Sequence, residues 1–148
     1  MRSLPLILFL AACGGTATTD TDTDLSADTD TDETTSDATG CEGVTPKVTD
    51  LSLAELDAML AAKDFDLINV HIPVNGQIAG TDADIAYTDP DGLEDWLDHD
   101  LSRKVVLYCM TGPMSTIATQ DLVDRGYCNV YDLPDGMAQW DAAGYPMQ

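Results

Sequence analysis

Cations are scarce in this chain. Its 148 residues carry six Lys plus Arg against 27 Asp plus Glu, a formal net charge of −21 at pH 7. A surface this acidic repels nucleic acid and anionic lipid head groups, so neither is expected as a partner. It repels small anions for the same reason. The apolar stretch near the start, Leu4 to Leu10, is too short to span a bilayer as a helix. Residues 16–39 hold no aromatic residue and no Lys or Arg, and Leu25 is their only large apolar side chain. Such a segment cannot bury enough apolar surface to offset its ordering entropy, and it reads as a disordered, self-repelling tether. Its alternating Asp residues (Asp20, Asp22, Asp24; Asp28, Asp30, Asp32) lack the Gly and the Glu that a calcium-binding EF-hand loop needs. No metal and no cofactor is expected.

What is present begins with "MRSLPLILFLAACGG": one positive charge, an apolar stretch, then small residues ending in Cys13. That order is a secretory signal. "LAAC" resembles a lipobox, in which cleavage precedes a cysteine that becomes diacylated; the alternative is ordinary cleavage with Cys13 incidental. The organisation expected is a signal over 1–12, lipidated Cys13 with its tether over 13–42, and one folded domain over 43–148. Lipidation would anchor an exported protein to a membrane of the bacterial envelope. Gly14 replaces the Asp that resembles an inner-membrane retention signal, which points to the outer membrane or cell surface.

Regular patterning starts after Cys41. "GVTPKVTDLS" is a short β-branched segment, and Ser52 with Glu55 has the spacing of a capping box. Leu53, Leu56, Met59 and Leu60 then recur at helical spacing. "FDLINVHIP" reads as a strand, "ADIAYTD" as a shorter one, and "PDGLEDWLDHD" as an acidic helix. "KVVLYC" is an unbroken apolar run, the pattern of a strand buried on both faces. "STIATQDLVDRG" predicts a helix that opens at Ser115, turns Ile117, Leu122 and Val123 inward and stops at Gly126. "CNVYDLP" is a last strand and "DGMAQWDAAG" a last helix. Trp96 and Trp140 read as core or helix–sheet packing, and His99 as surface. Strands alternating with helices predict an α/β, three-layer domain with a parallel sheet, in which ligands bind beyond the carboxyl ends of the strands.

Cys109 stands at such an end. A loop that leaves a strand at Cys109 and enters a helix near Ser115 aims backbone N–H groups at one place, and the helix N-terminus adds partial positive charge. Together these favour negative charge on a sulfur and can cradle an anion without a basic side chain. Gly112 lets the loop turn tightly. The arrangement suits a nucleophilic cysteine, although a buried structural Cys at a strand end fits the same pattern.

"KVVLYCMTGPMSTIATQDLVDRGYCNVYDLPDGMAQWDAAGYP" resembles the second half of the rhodanese-like domains. The matching features are a strand ending in Cys109, Gly112 three positions on, and Ser115 at the next helix. "GY-NVY-L" follows from Gly126 to Leu133, and the closing pattern is Gly136, Trp140, Gly144 and Pro146. "DLINVHIPVNGQIAGTD" occupies the place of the family's "D-V-R … G-H-I-P-G" region more loosely. The resemblance implies a five-stranded parallel sheet flanked by helices. It also implies sulfur transfer, in which the cysteine accepts a sulfane sulfur as a persulfide and passes it to an acceptor. The loop of Met110, Thr111, Gly112, Pro113, Met114 and Ser115 would then bind the substrate, a small sulfur compound or thiol acceptor.

The departures from the family matter as much. Many active members carry Arg directly after the cysteine or five positions after it; here Met110 and Met114 stand there. The family's Asp and Arg after the second strand appear as Asn69 and His71, residues expected near the site. Arg holds an oxyanion bidentately and Met does not, so weak use of thiosulfate is expected and less polar donors fit better. Cys-loop phosphatases and arsenate reductases need an Arg at the loop's end, where Met114 and Ser115 stand, which argues against those activities. A non-catalytic binding or redox-sensing module is the alternative function. If Cys13 is lipidated, Cys41, Cys109 and Cys128 remain, an odd number that leaves a free thiol, an intermolecular bond or all thiols free. In the rhodanese-like sheet the first and last strands are parallel neighbours, which implies a Cys41–Cys128 disulfide at their amino ends with Cys109 out of reach. No oligomer interface is legible, and a monomer is expected.

Overall fold

The computed structural model describes residues 41–148. The signal expected over 1–12, the lipidation expected at Cys13 and the expected tether up to residue 40 fall outside the described residues. Five strands form one parallel sheet: β1 (Val48–Asp50), β2 (Asp66–Asn69), β3 (Ala83–Asp84), β4 (Val105–Tyr108) and β5 (Val130–Leu133), in the spatial order β1-β5-β4-β2-β3. Four helices alternate with them: α1 (Leu53–Leu60), α2 (Pro90–Trp96), α3 (Pro113–Asp124) and α4 (Gly136–Ala142).

β4 is the centre of the sheet, and its apolar run is buried on both faces as its pattern predicts. Val105, Leu107 and Cys109 point to one face, where α2 and α3 cover them with Leu93, Leu97, Ala118 and Leu122. Val106 and Tyr108 point to the other, beneath α1 and α4 with Leu56, Met137 and Trp140. This alternation is the period of a strand. It makes two apolar layers out of one sheet.

α1 opens on the Ser52–Glu55 capping box, with both reciprocal hydrogen bonds formed. α3 departs from expectation at its start. It begins at Pro113 with Gly112 as its cap, two residues ahead of Ser115, because proline's fixed φ suits the first helical position. Ser115 is therefore buried inside the first turn. Two further expectations are corrected. Ile117 is 51% exposed, since Ala118 and Leu122 form the inward stripe of α3. Trp96 is 40% exposed and outside the core, and its contact with the sheet is an indole N–H that donates to Asp66 at the amino end of β2. Trp140 is fully buried, stacked on Tyr145, and donates to the Pro146 carbonyl.

Cys41 and Cys128 are disulfide-bonded, with Cα atoms 5.9 Å apart and a sequence separation of 87. The bond ties the segment before edge strand β1 to the segment before β5. Reducing it, or replacing Cys128 by Ser, should lower the free energy of unfolding by roughly 4 kcal/mol on the chain-entropy argument. Urea denaturation with and without reductant measures this, and the reductant should leave Cys128→Ser unchanged.

Candidate functional site

The loop of interest follows β4 at the carboxyl end of the sheet, between two helices that leave for opposite faces. α3 departs from β4 toward one face and α4 departs from β5 toward the other. That divergence is where an open α/β sheet forms its crevice.

Cys109 is the free cysteine among the described residues and is 1% exposed. The Gly112 N–H donates to its Sγ at 3.1 Å. Pro113 has no N–H to offer, and the Thr116 N–H turns back to the Gly112 carbonyl at 3.0 Å. The loop's carbonyls are also held: Met137 N–H donates to Cys109 O at 2.9 Å and Ala138 N–H to Met110 O at 3.0 Å. The first turn of α4 thus fastens the segment leaving Cys109. Ser115 Oγ donates to Gly112 O at 2.8 Å. Met114 packs on the Cys109 side of the sheet and Met110 on the opposite side, while Thr111 and Pro113 are exposed.

Gly112 has φ +101°, and a Cβ there would stand 2.2 Å from the Pro134 carbonyl oxygen. The close approach that needs glycine is thus between two backbone loops. Gly136 repeats the device from the other side, since a Cβ on it would stand 2.5 Å from Met110 O.

Asn69 and His71 leave β2, the strand beside β4, at this same end of the sheet. Asn69 is buried and uses both ends of its amide locally: Nδ2 donates to Asp84 Oδ1 at 2.8 Å, and Oδ1 accepts the His71 N–H at 3.1 Å. His71 Nδ1 is buried with no hydrogen-bond partner among the described residues.

Two polar residues here escape a reading of apolar periodicity. Tyr108, read as core, places its hydroxyl against Ile78 N–H at 3.1 Å and Thr81 Oγ1 at 2.7 Å, which pins the loop between β2 and β3. Burial raises its phenol above the ordinary value. Asp132 on β5 is buried and accepts from Thr116 Oγ1 at 2.8 Å. An Asp within the strand "VYDL" was the available signal.

Charge is segregated along the strands. The Lys and Arg residues of the described chain are Lys47, Lys63, Arg103, Lys104 and Arg125, and all stand in segments that lead into strands, at the amino end. There Arg103 pairs with Asp66 and Asp98, Lys104 with Asp64, Lys63 with Asp82, and Arg125 with Asp91 and Glu94. The end that carries Cys109 has none. A groove of about 290 Å³ between α1 and the C-terminal segment is lined by Asp57, Leu60, Ala61, Ala79, Trp140 and Pro146, and none of the Cys109 loop borders it.

A family model described as Rhodanese-like domain matches residues 52–143. Among solved structures, a rhodanese-related protein from Thermoplasma volcanium is 24% identical with a TM-score of 0.55, covering 67% of this chain and 96% of that one. The rhodanese-like domain of an Anabaena protein is 24% identical with a TM-score of 0.56, covering 67% and 77%. A Rhodopseudomonas palustris protein of unknown function, described as a possible tyrosine phosphatase, is 21% identical with a TM-score of 0.59, covering 68% and 85%. No curated protein matches.

Gly112→Ala should cost roughly 1–3 kcal/mol from left-handed backbone strain alone, with further loss from the contact against Pro134. Urea denaturation followed by tryptophan fluorescence tests it, and a variant as stable as the parent would contradict the geometry given for Gly112.

Proposed function

The chain belongs to the family of rhodanese-like domains, and on that premise we propose that it handles sulfane sulfur through a persulfide on Cys109. The observation that carries the reading is the free Cys109 at the carboxyl end of β4, with the Gly112 N–H 3.1 Å from its sulfur. In the forward step the Cys109 thiolate attacks the outer sulfur of a donor RS–S⁻. The donor's S–S bond breaks, RS⁻ leaves with the electron pair, and Cys109 holds S–S⁻. An acceptor thiolate then attacks the outer sulfur and Cys109 departs as thiolate. His71, at the same sheet end with its Nδ1 unpartnered among the described residues, is the candidate to give a proton to the departing thiolate.

The donor favoured is a weakly charged alkyl persulfide or polysulfide. Thiosulfate is dianionic, and its usual Arg partners are replaced by Met110 and Met114 at an end of the sheet that holds no described cation. Backbone N–H groups can hold a small anion, but they do not supply the bidentate pairing that guanidinium gives. One observation favours a second reading. Cys109 is 1% exposed, which suits a binding or redox-sensing module whose thiol is reached only when the loop moves.

We also propose that the protein is exported and anchored in the cell envelope by lipid on Cys13, from the order of charge, apolar run and small residues before it. Labelled fatty acid should enter the parent chain and not Cys13→Ser.

The chemistry is tested by incubating the full chain with thiosulfate and, separately, with an alkyl persulfide, then weighing the intact protein. A gain of one sulfur atom from the persulfide, absent in Cys109→Ala, supports the enzyme. No gain with either donor leaves the binding module. Met114→Arg, on the Cys109 side of the sheet, is expected to raise loading from thiosulfate by roughly ten-fold or more, the worth of one charged hydrogen bond.

A further inference from the structure

Asp132 is the buried carboxylate nearest in contact to this loop, and the proposed sulfur chemistry gives it no part. It stands on β5 between Leu107 of β4 and Asp50 of β1, and is 1% exposed. Its Oδ2 lies 2.8 Å from Thr116 Oγ1. Its Oδ1 is buried with no partner among the described residues. The groups around it are the Asp50 carboxylate from β1, the Ser115 and Thr116 hydroxyls from α3, the Leu133 backbone N–H beside it on β5, and apolar Leu107 from β4. Burial is the main cause that holds its carboxyl above the ordinary value, with Asp50 adding to the rise and the two hydroxyls opposing it.

The proton count at Thr116 gives this contact its consequence. Thr116 Oγ1 lies within reach of two acceptors, Asp132 Oδ2 at 2.8 Å and the Gly112 carbonyl at 3.2 Å. A hydroxyl has one proton to donate. When Asp132 is ionised, the carboxylate takes that donation, and Gly112 O retains only Ser115 Oγ and the Thr116 N–H. When Asp132 is protonated, the acid donates to Thr116 Oγ1, which releases the threonine proton to Gly112 O. The total number of protons on the pair differs by one between the two arrangements, and solvent supplies it.

We infer that Asp132 is a positioning residue for the Cys109 loop, acting through Thr116 on the Gly112 carbonyl and so on the N–H that Gly112 directs at Cys109 Sγ. The inference rests on the reading of Cys109 as the reactive group, but its test needs no sulfur transfer. Gly112 is the pivot because its carbonyl and N–H turn on the same α-carbon, whose φ of +101° only glycine holds readily. As pH falls through the Asp132 titration, the Gly112 carbonyl gains a third donor that shares its two lone pairs with Ser115 Oγ and the Thr116 N–H, and the pivot tightens slightly.

The test follows the Gly112 amide resonance and its hydrogen-exchange protection in the full chain across the acid range. In the parent, the Gly112 amide should shift with an inflection above the ordinary carboxylate range. Its protection should rise roughly two- to three-fold on the acid side, the low end of one hydrogen bond's worth, because Gly112 O already accepts twice. Asp132→Asn, a permanent donor of the same shape, should hold the acid-side position at every pH with no inflection. In Thr116→Val, at an exposed helix position, Gly112 should stop following Asp132 even though Asp132 still titrates. That second variant keeps the test valid should Asp132→Asn fail to fold. A Gly112 amide that ignores pH in the parent, or an inflection that survives either substitution, overturns the inference. A clear titration without sulfur loading would leave it standing while the sulfur-transfer reading falls, and loading with a flat titration would do the reverse.

Discussion

Two loops leave neighbouring strands for opposite faces of the sheet, and they meet backbone against backbone. The loop after β4 presses Gly112 on the Pro134 carbonyl, and the loop after β5 presses Gly136 on Met110 O. No side chain fits at either contact. Because the carbonyls of Cys109 and Met110 accept from the first turn of α4, the reactive segment is clamped between the starts of two helices. The position of Cys109, the direction of the Gly112 N–H and the burial of the thiol all follow from this contact. Loops are ordinarily the mobile part of an α/β domain, and here hydrogen bonds to the scaffold hold the backbone that carries the chemistry.

The charge distribution sets what such a loop can attract. Ion pairs gather at the amino end of the sheet, where Arg103 bridges Asp66 and Asp98 and Arg125 bridges Asp91 and Glu94. They are partly exposed and each contributes little to stability. Their placement has a larger effect, since it leaves the carboxyl end without a described cation. The disulfide belongs to the same division. It ties Cys41 to Cys128 at the amino end and keeps both sulfurs away from Cys109. One end of the sheet is built for cohesion, and the other holds the one free thiol among the described residues.

Much of the fold was legible because the burial demands on each strand are simple. A run such as Val105–Tyr108 with no polar interruption has nowhere to go but between two layers of helix. The capping box at Ser52 and the stop at Gly126 are local chemistry and appear where their spacing puts them. The misreadings have two causes. The start of α3 is set locally by Pro113 at its first position, whereas the outward Ile117 and the exposed Trp96 depend on which neighbour arrives opposite, and apolar identity alone does not report that. Ala118 lies inward instead of Ile117 because Ser115, Ala118, Thr119 and Leu122 form the one buried stripe of α3.

The amino-acid sequence by itself determined the order of strands and helices, the acidic surface, the place of Cys109 at a strand end and its resemblance to the rhodanese-like domains. These depend on local periodicity, on composition and on motif spacing, which are properties of short stretches. Only the tertiary structure decided that Gly112 gives way to Pro134, that the start of α4 holds the Cys109 carbonyl, that Tyr108 pins the loop after β2, and that Asp132 stands buried against Thr116. Each joins residues far apart in the chain, or turns on one atom-to-atom distance. Such distances exist only once the two layers have closed on the sheet.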